Sequence, residues 1–121
     1  MKNTLRKMAS VRKELSATAL LADQSPQDAK QGLWLNFLNQ ETLVYTGPEK
    51  VAKMFDFPVV YMRVDRIKRG KYEITPSVIT ETPKTTEENE ITITFNKVLE
   101  EDIRSRPSIW LWSHRRWKHK R

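Results

Sequence analysis

Apolar positions along the 121 residues fall into short blocks whose spacing changes from block to block. Leu5, Met8, Val11 and Leu15 recur at roughly helical intervals among basic residues, which predicts a surface helix within 4–15. A helix lying on a membrane surface would carry the same stripe. Residues 17–22, Ala-Thr-Ala-Leu-Leu-Ala, are nearly all apolar and stop abruptly at Asp23-Gln24-Ser25-Pro26. They read as a buried strand running into a polar loop. Ligand groups collect just past the carboxyl ends of strands in open α/β sheets, the position this reading gives to Asp23 and Gln24.

The block Leu33 to Leu38 is apolar enough to be buried but has no decisive period, whereas Thr42 to Thr46 reads as extended. Gly47-Pro48 then punctuates the chain, and Pro48 suits the first turn of a helix through Val51, Ala52 and Phe55. Phe57 to Val64, β-branched and aromatic, is the clearest strand. A basic turn centred on Gly70 leads from it to Tyr72–Ile79, an antiparallel partner broken by Pro76. Ile91, Ile93 and Phe95 alternate as in a strand, but Ile91, Phe95, Leu99 and Ile103 lie four apart with Val98 on the same face. The longer pattern predicts a helix over 86–105 whose Phe95 and Leu99 face the core, with Thr85 and Glu88 at capping-box spacing. Pro107 opens a short element through Trp112 that ends in a basic tail.

A chain of this length is one domain or a piece of one. With 38% hydrophobic and 31% charged residues it has the balance of a folded, soluble protein. No stretch approaches the ~20 apolar residues of a spanning helix, and the N-terminus has no apolar run of signal-peptide type. The absence of cysteine excludes disulfides, thiolate metal sites and cysteine nucleophiles.

Net charge is +7, but it is concentrated at the ends. Residues 1–16 carry +4, residues 113–121 carry +5, and the remainder carries −2. Basic ends on a balanced body suit an anionic surface better than a nucleic acid. Trp110, Trp112 and Trp117 interleave with these charges. They fit core packing, a membrane interface or base stacking, in that order.

Little in the chain resembles catalytic machinery. Both histidines, His114 and His119, lie in the basic tail, and no carboxylate follows Asp102 to orient them. The plainest reading makes both structural or solvated, and their spacing gives no metal site. The three glycines are far apart, so no phosphate loop exists, and there is no Gly-x-Ser-x-Gly elbow. No cofactor is expected.

The order of segments nevertheless resembles a known family. Ala22-Asp23-Gln24-Ser25-Pro26 is followed by Trp34 to Phe37, Gly47-Pro48-Glu49-Lys50-Val51-Ala52, Phe57-Pro58-Val59-Val60-Tyr61 and Leu99-Glu100-Glu101-Asp102-Ile103. The chain closes on Pro107-Ser108-Ile109-Trp110-Leu111-Trp112-Ser113-His114-Arg115-Arg116-Trp117-Lys118, the most specific part. Over about residues 17–118 this is similar to the C-terminal half of the lauroyl/myristoyl acyltransferases of lipid A biosynthesis.

The resemblance implies an α/β fold, a strand-rich core with covering helices forming the C-terminal part of a glycerolipid-acyltransferase-like domain, with residues 1–121 as one such unit. It implies acyl transfer from an acyl-carrier-protein thioester to a hydroxyl of a lipid A precursor, at the cytoplasmic face of the bacterial inner membrane. The family's His-x4-Asp/Glu element, in which the carboxylate orients a histidine that takes the hydroxyl proton, has no counterpart here. His114 is followed five positions on by His119. The chain is therefore expected to begin downstream of that element and of the membrane anchor, to be inactive alone, and to need a missing N-terminal half. Asp23 and Gln24 match the family's Asp-Gln pair and are expected at the substrate. Arg115, Arg116, Trp117 and Lys118 match its terminal motif and are expected to contact membrane or lipid phosphate. A non-enzymatic basic module binding nucleic acid through its ends is the alternative.

Overall fold

A computed structural model of the chain describes residues 2–121. Helix α1 spans Lys2–Ser10, strands β1 and β2 span Gly32–Phe37 and Gln40–Tyr45, and helix α2 spans Gly47–Phe55. Strands β3 and β4 span Val59–Lys68 and Lys71–Thr80, and helix α3 spans Glu90–Ser105. Short 3₁₀ turns sit at 29–31, 83–85 and 107–109. The chain is mixed α/β, but its strands form two separate antiparallel hairpins, β1–β2 and β3–β4.

The ambiguous block at 33–38 is a strand because its partner is immediately adjacent. Trp34 lies opposite Leu43, and Phe37 opposite Gln40. The two-residue turn places Leu38 and Asn39 both at positive φ (52° and 61°), the geometry that matches the twist of a tight hairpin. In the second hairpin Val60 opposes Val78 and Val64 opposes Ile74, with irregular register at both ends. Gly70 turns it at φ 74°, a conformation open to glycine without cost.

Helix α3 closes the core. Phe37 from β1, Tyr61 from β3 and Leu99 and Ile103 from α3 form its buried centre. Phe95, Val98, Ile79, Trp110 and Trp117 pack around them. Leu99 thus faces the core as its four-residue spacing predicts, and Phe95 packs against Tyr61 with the rings tilted, centroids 5.6 Å apart.

Four expectations change. Helix α1 ends at Ser10, leaving Leu15 fully exposed. Residues 17–22 adopt no regular structure, and Leu21 is 79% exposed. A strand is stable only beside another strand, and among the described residues each hairpin is paired solely within itself. Trp112 and its flanks form turns rather than a regular element. Finally, α3 begins at Glu90, and Thr85 turns back to the Thr82 carbonyl instead of capping it.

The cap comes from another helix. Asn89, at positive φ, offers no side-chain cap to α3. Glu49, on α2, accepts hydrogen bonds at one oxygen from the Thr92 backbone N–H (2.9 Å) and hydroxyl (2.6 Å). Its other oxygen meets Lys53 at 3.0 Å. Lys53 also donates to the carbonyls of Thr86 and Glu87 at 3.1 and 2.7 Å. A carboxylate at the first turn satisfies a free N–H and complements the positive end of the helix dipole. Burial pushes the Glu49 carboxyl upward, but the Thr92 donors and Lys53 outweigh it and hold it below its ordinary value.

Candidate functional site

Between residues 18–23, the start of β3 and the flank of α3 lies a cavity of about 480 Å³. Leu20 and Leu21 line one side, Val60, Tyr61 and Met62 another, and Phe95, Leu99, Ile103 and Trp110 the floor. Consecutive β3 residues line it while no β4 residue does, so the cavity lies along the strand edge that β4 leaves free. Its walls are mainly hydrocarbon and aromatic.

Polar groups enter at one wall. The Tyr61 hydroxyl donates to Asp102 at 2.8 Å. Asp102 also receives Arg63 at 3.2 Å and Arg106 at 2.6 Å. Asp65 joins the cluster through Arg63 at 3.4 Å and through Arg106. Burial first, and then the Asp102 carboxylate accepting its proton in a hydrogen bond, push the Tyr61 hydroxyl well above its ordinary value. The phenol therefore stays protonated and acts as a donor, while two guanidiniums balance two carboxylates. The arrangement can hold an apolar chain and present a fixed hydrogen-bonding wall to its polar end.

Asp23 lines the cavity, whereas Gln24 is exposed and lies outside it. The tail residues separate. Arg115 and Lys118 are exposed. Trp117 is half-buried and donates from its indole to Thr42 at 2.8 Å. Arg116 is only 2% exposed. Its guanidinium lies 5.4 Å above the Phe37 ring and donates to the Leu43 carbonyl at 3.3 Å, while its Nε and Nη2 have no partner among the described residues. Burial lowers Arg116 to about 10, partly countered by the negative charge of Asp23. The structure thus brings Asp23 and Arg116, 93 positions apart in sequence, into one electrostatic neighbourhood.

Both histidines hold the loop that carries Asp23. His114 Nε2 accepts from the Ser25 backbone N–H at 3.2 Å. His119 Nε2 donates to the Pro26 carbonyl at 2.9 Å. Among the described residues no group of three His, Asp or Glu side chains is placed to hold a metal ion, and no helix is long and apolar enough to cross a membrane. Sequence reasoning missed the Tyr61–Asp102–Arg106 cluster. Its only signals were the family-like segments Phe57 to Tyr61 and Leu99 to Ile103, to which no role attached.

Fold and cavity define a small mixed α/β protein with an apolar slot beside the free edge of a strand. Residues 1–119 match the family model described as bacterial lipid A biosynthesis acyltransferase, and the chain belongs to that family of acyltransferases. No curated protein matches the chain. No solved structure matches it either.

Proposed function

We propose that the chain is the C-terminal, substrate-holding portion of a lipid A acyltransferase, and that the slot beside β3 takes the acyl chain. The observation that carries this reading is the apolar cavity of about 480 Å³ in a chain of this family. Pockets that bury an apolar ligand are lined as this one is, mostly by hydrocarbon with a few placed polar groups. The donor is an acyl-carrier-protein thioester and the acceptor a hydroxyl of a lipid A precursor. Asp23 stands at the slot, and Gln24 beside it reaches the substrate from the solvent side. Exposed Arg115 and Lys118 face lipid phosphates, with Trp117 and Arg116 anchoring them to the body.

The base comes from elsewhere. No His-x4-Asp/Glu occurs in the sequence, and both histidines are engaged with the 25–26 loop. A general base contributes typically ~10²–10⁴-fold in rate. An N-terminal polypeptide bearing that pair completes the domain as a glycerolipid-acyltransferase-like fold, peripheral to the cytoplasmic face of the inner membrane.

Two measurements test this. A fluorescent fatty acid should bind the isolated chain, and Leu20→Asp, which sets an unpaired carboxylate against the slot from an exposed segment, should weaken it at least ~10-fold. The chain alone, given acyl-carrier-protein thioester and lipid A precursor, should give no turnover above a boiled control. Unaltered fatty-acid binding in Leu20→Asp would remove the slot from the proposal, and turnover by the chain alone would remove the need for a second polypeptide.

A further inference from the structure

The β3–β4 hairpin is inside out. Its register places Tyr61, Arg63 and Asp65 on the face toward α3, where they meet Phe95, Asp102 and Arg106. The opposite face carries Val60, Met62 and Val64 beside Val78, Ile74 and Tyr72. These six side chains are 40% to 60% exposed, and no acidic residue shares their face. Monomeric soluble proteins rarely leave so continuous an apolar surface uncovered unless it has a partner.

The hairpin tip supplies the second half of the pattern. Arg66, Lys68, Arg69 and Lys71 cluster there, all exposed. Among the described residues none of the four meets a carboxylate within 4.0 Å. The hairpin's two acids, Asp65 and Glu73, lie on the other face. Aliphatic side chains bordered by a tyrosine and unpaired cations are complementary to a leaflet, with hydrocarbon below and anionic headgroups at the rim. A nucleic acid would use the cations but leave the aliphatic face in water.

The tail is less suited to the same task. Arg116 is buried and Arg121 lies 3.3 Å from Glu41, so its five charges are not presented together.

We propose that the outer face of the β3–β4 hairpin docks on an anionic membrane surface, with the Arg66–Lys71 tip in the headgroups. Val60, Met62 and Val64 belong both to that face and to the slot lining. The slot therefore opens round the β3 edge onto the membrane side, next to the acceptor lipid. This deepens the acyl-transfer reading and rests on it only for the identity of the slot's occupant.

The test uses the full chain and vesicles of phosphatidylcholine alone or mixed equally with phosphatidylglycerol, at ~0.15 M salt. Co-sedimentation should occur with the anionic vesicles. Replacing Lys68, Arg69 and Lys71 together by Glu should weaken it at least ~100-fold, since each cation near an anionic leaflet counts separately. The same replacement at Lys120 and Arg121 should cost less than ~10-fold. Because the chain has no cysteine, Ile74→Cys, on the same face but outside the slot lining, takes a single polarity-sensitive dye, whose emission should shift to the blue on anionic vesicles while a Lys120→Cys label shifts less.

Loss of binding through the tail replacement with the tip replacement silent would overturn the proposal. So would an Ile74 label blind to vesicles, or one that shifts without lipid as the chain self-associates, which would make a second copy the occupant. None of these outcomes touches fatty-acid binding in the slot, so the surface and the slot fail separately.

Discussion

Phe37→Ala is expected to destabilise the chain by ~3–5 kcal/mol, the range for removing a large aromatic from a well-packed interior. Phe37 is 1% exposed and sits where three parts of the chain converge. It packs with Tyr61, Leu99 and Ile103, and lies edge-to-face with Trp110 at 6.1 Å. Its ring also supports the Arg116 guanidinium. A buried cation facing an aromatic ring gains electrostatic attraction that a cavity cannot replace, which puts the loss toward the upper end of the range. Urea unfolding monitored by tryptophan fluorescence measures it: the midpoint should fall with the slope unchanged. A change below ~1 kcal/mol would mean that β1 is not held against α3 as described.

Glu49→Ala is expected to cost ~3 kcal/mol, more than an ordinary surface change, because a buried carboxylate accepts three hydrogen bonds there. Hydrogen bonds to charged groups are worth roughly 1.5–3 kcal/mol each, and a buried donor left unpaired costs further. Lys53 would lose its carboxylate and the first turn of α3 its cap. The pH dependence follows from the same contacts. The carboxyl of Glu49 is held below its ordinary value in the fold, while the unfolded chain titrates near the free value of ~4.3. Its contribution is thus complete above the unfolded value and is lost as pH falls through the lower, folded one. Stability against pH should show that acid limb in the parent and a flatter one in Glu49→Gln. Identical limbs would remove Glu49 from the acid sensitivity.

Local pattern was enough for the elements that make their own bonds. The spacing of Ile91, Phe95, Leu99 and Ile103 dictates α3, since one helical stripe can face only one way. The same holds for α2 after Pro48, and for the antiparallel pairing of β3 with β4 across a short turn, although β4 runs unbroken through Pro76, opposite Met62. Family membership was also legible, because order and identity of motifs survive without coordinates.

Residues 17–22 went the other way. Their composition suits a buried strand, but a strand draws its hydrogen bonds from a neighbour that composition cannot supply, and the structure leaves them without one. The cap of α3 escaped for a similar reason. Thr85 and Glu88 have the right spacing, yet the carboxylate arrives from Glu49, 43 residues before Thr92. The resemblance treated Arg115 and Arg116 alike, whereas packing buries Arg116 over Phe37 and leaves Arg115 exposed. The inverted hairpin is subtler still. Alternation along β3 is plain in the sequence, but which of its two faces is covered depends on where α3 lands. That landing puts Arg63 against Asp102 and Asp65 against Arg106, and turns Met62 and Val64 outward. Period is a property of the chain, and burial is a property of what lies across from it.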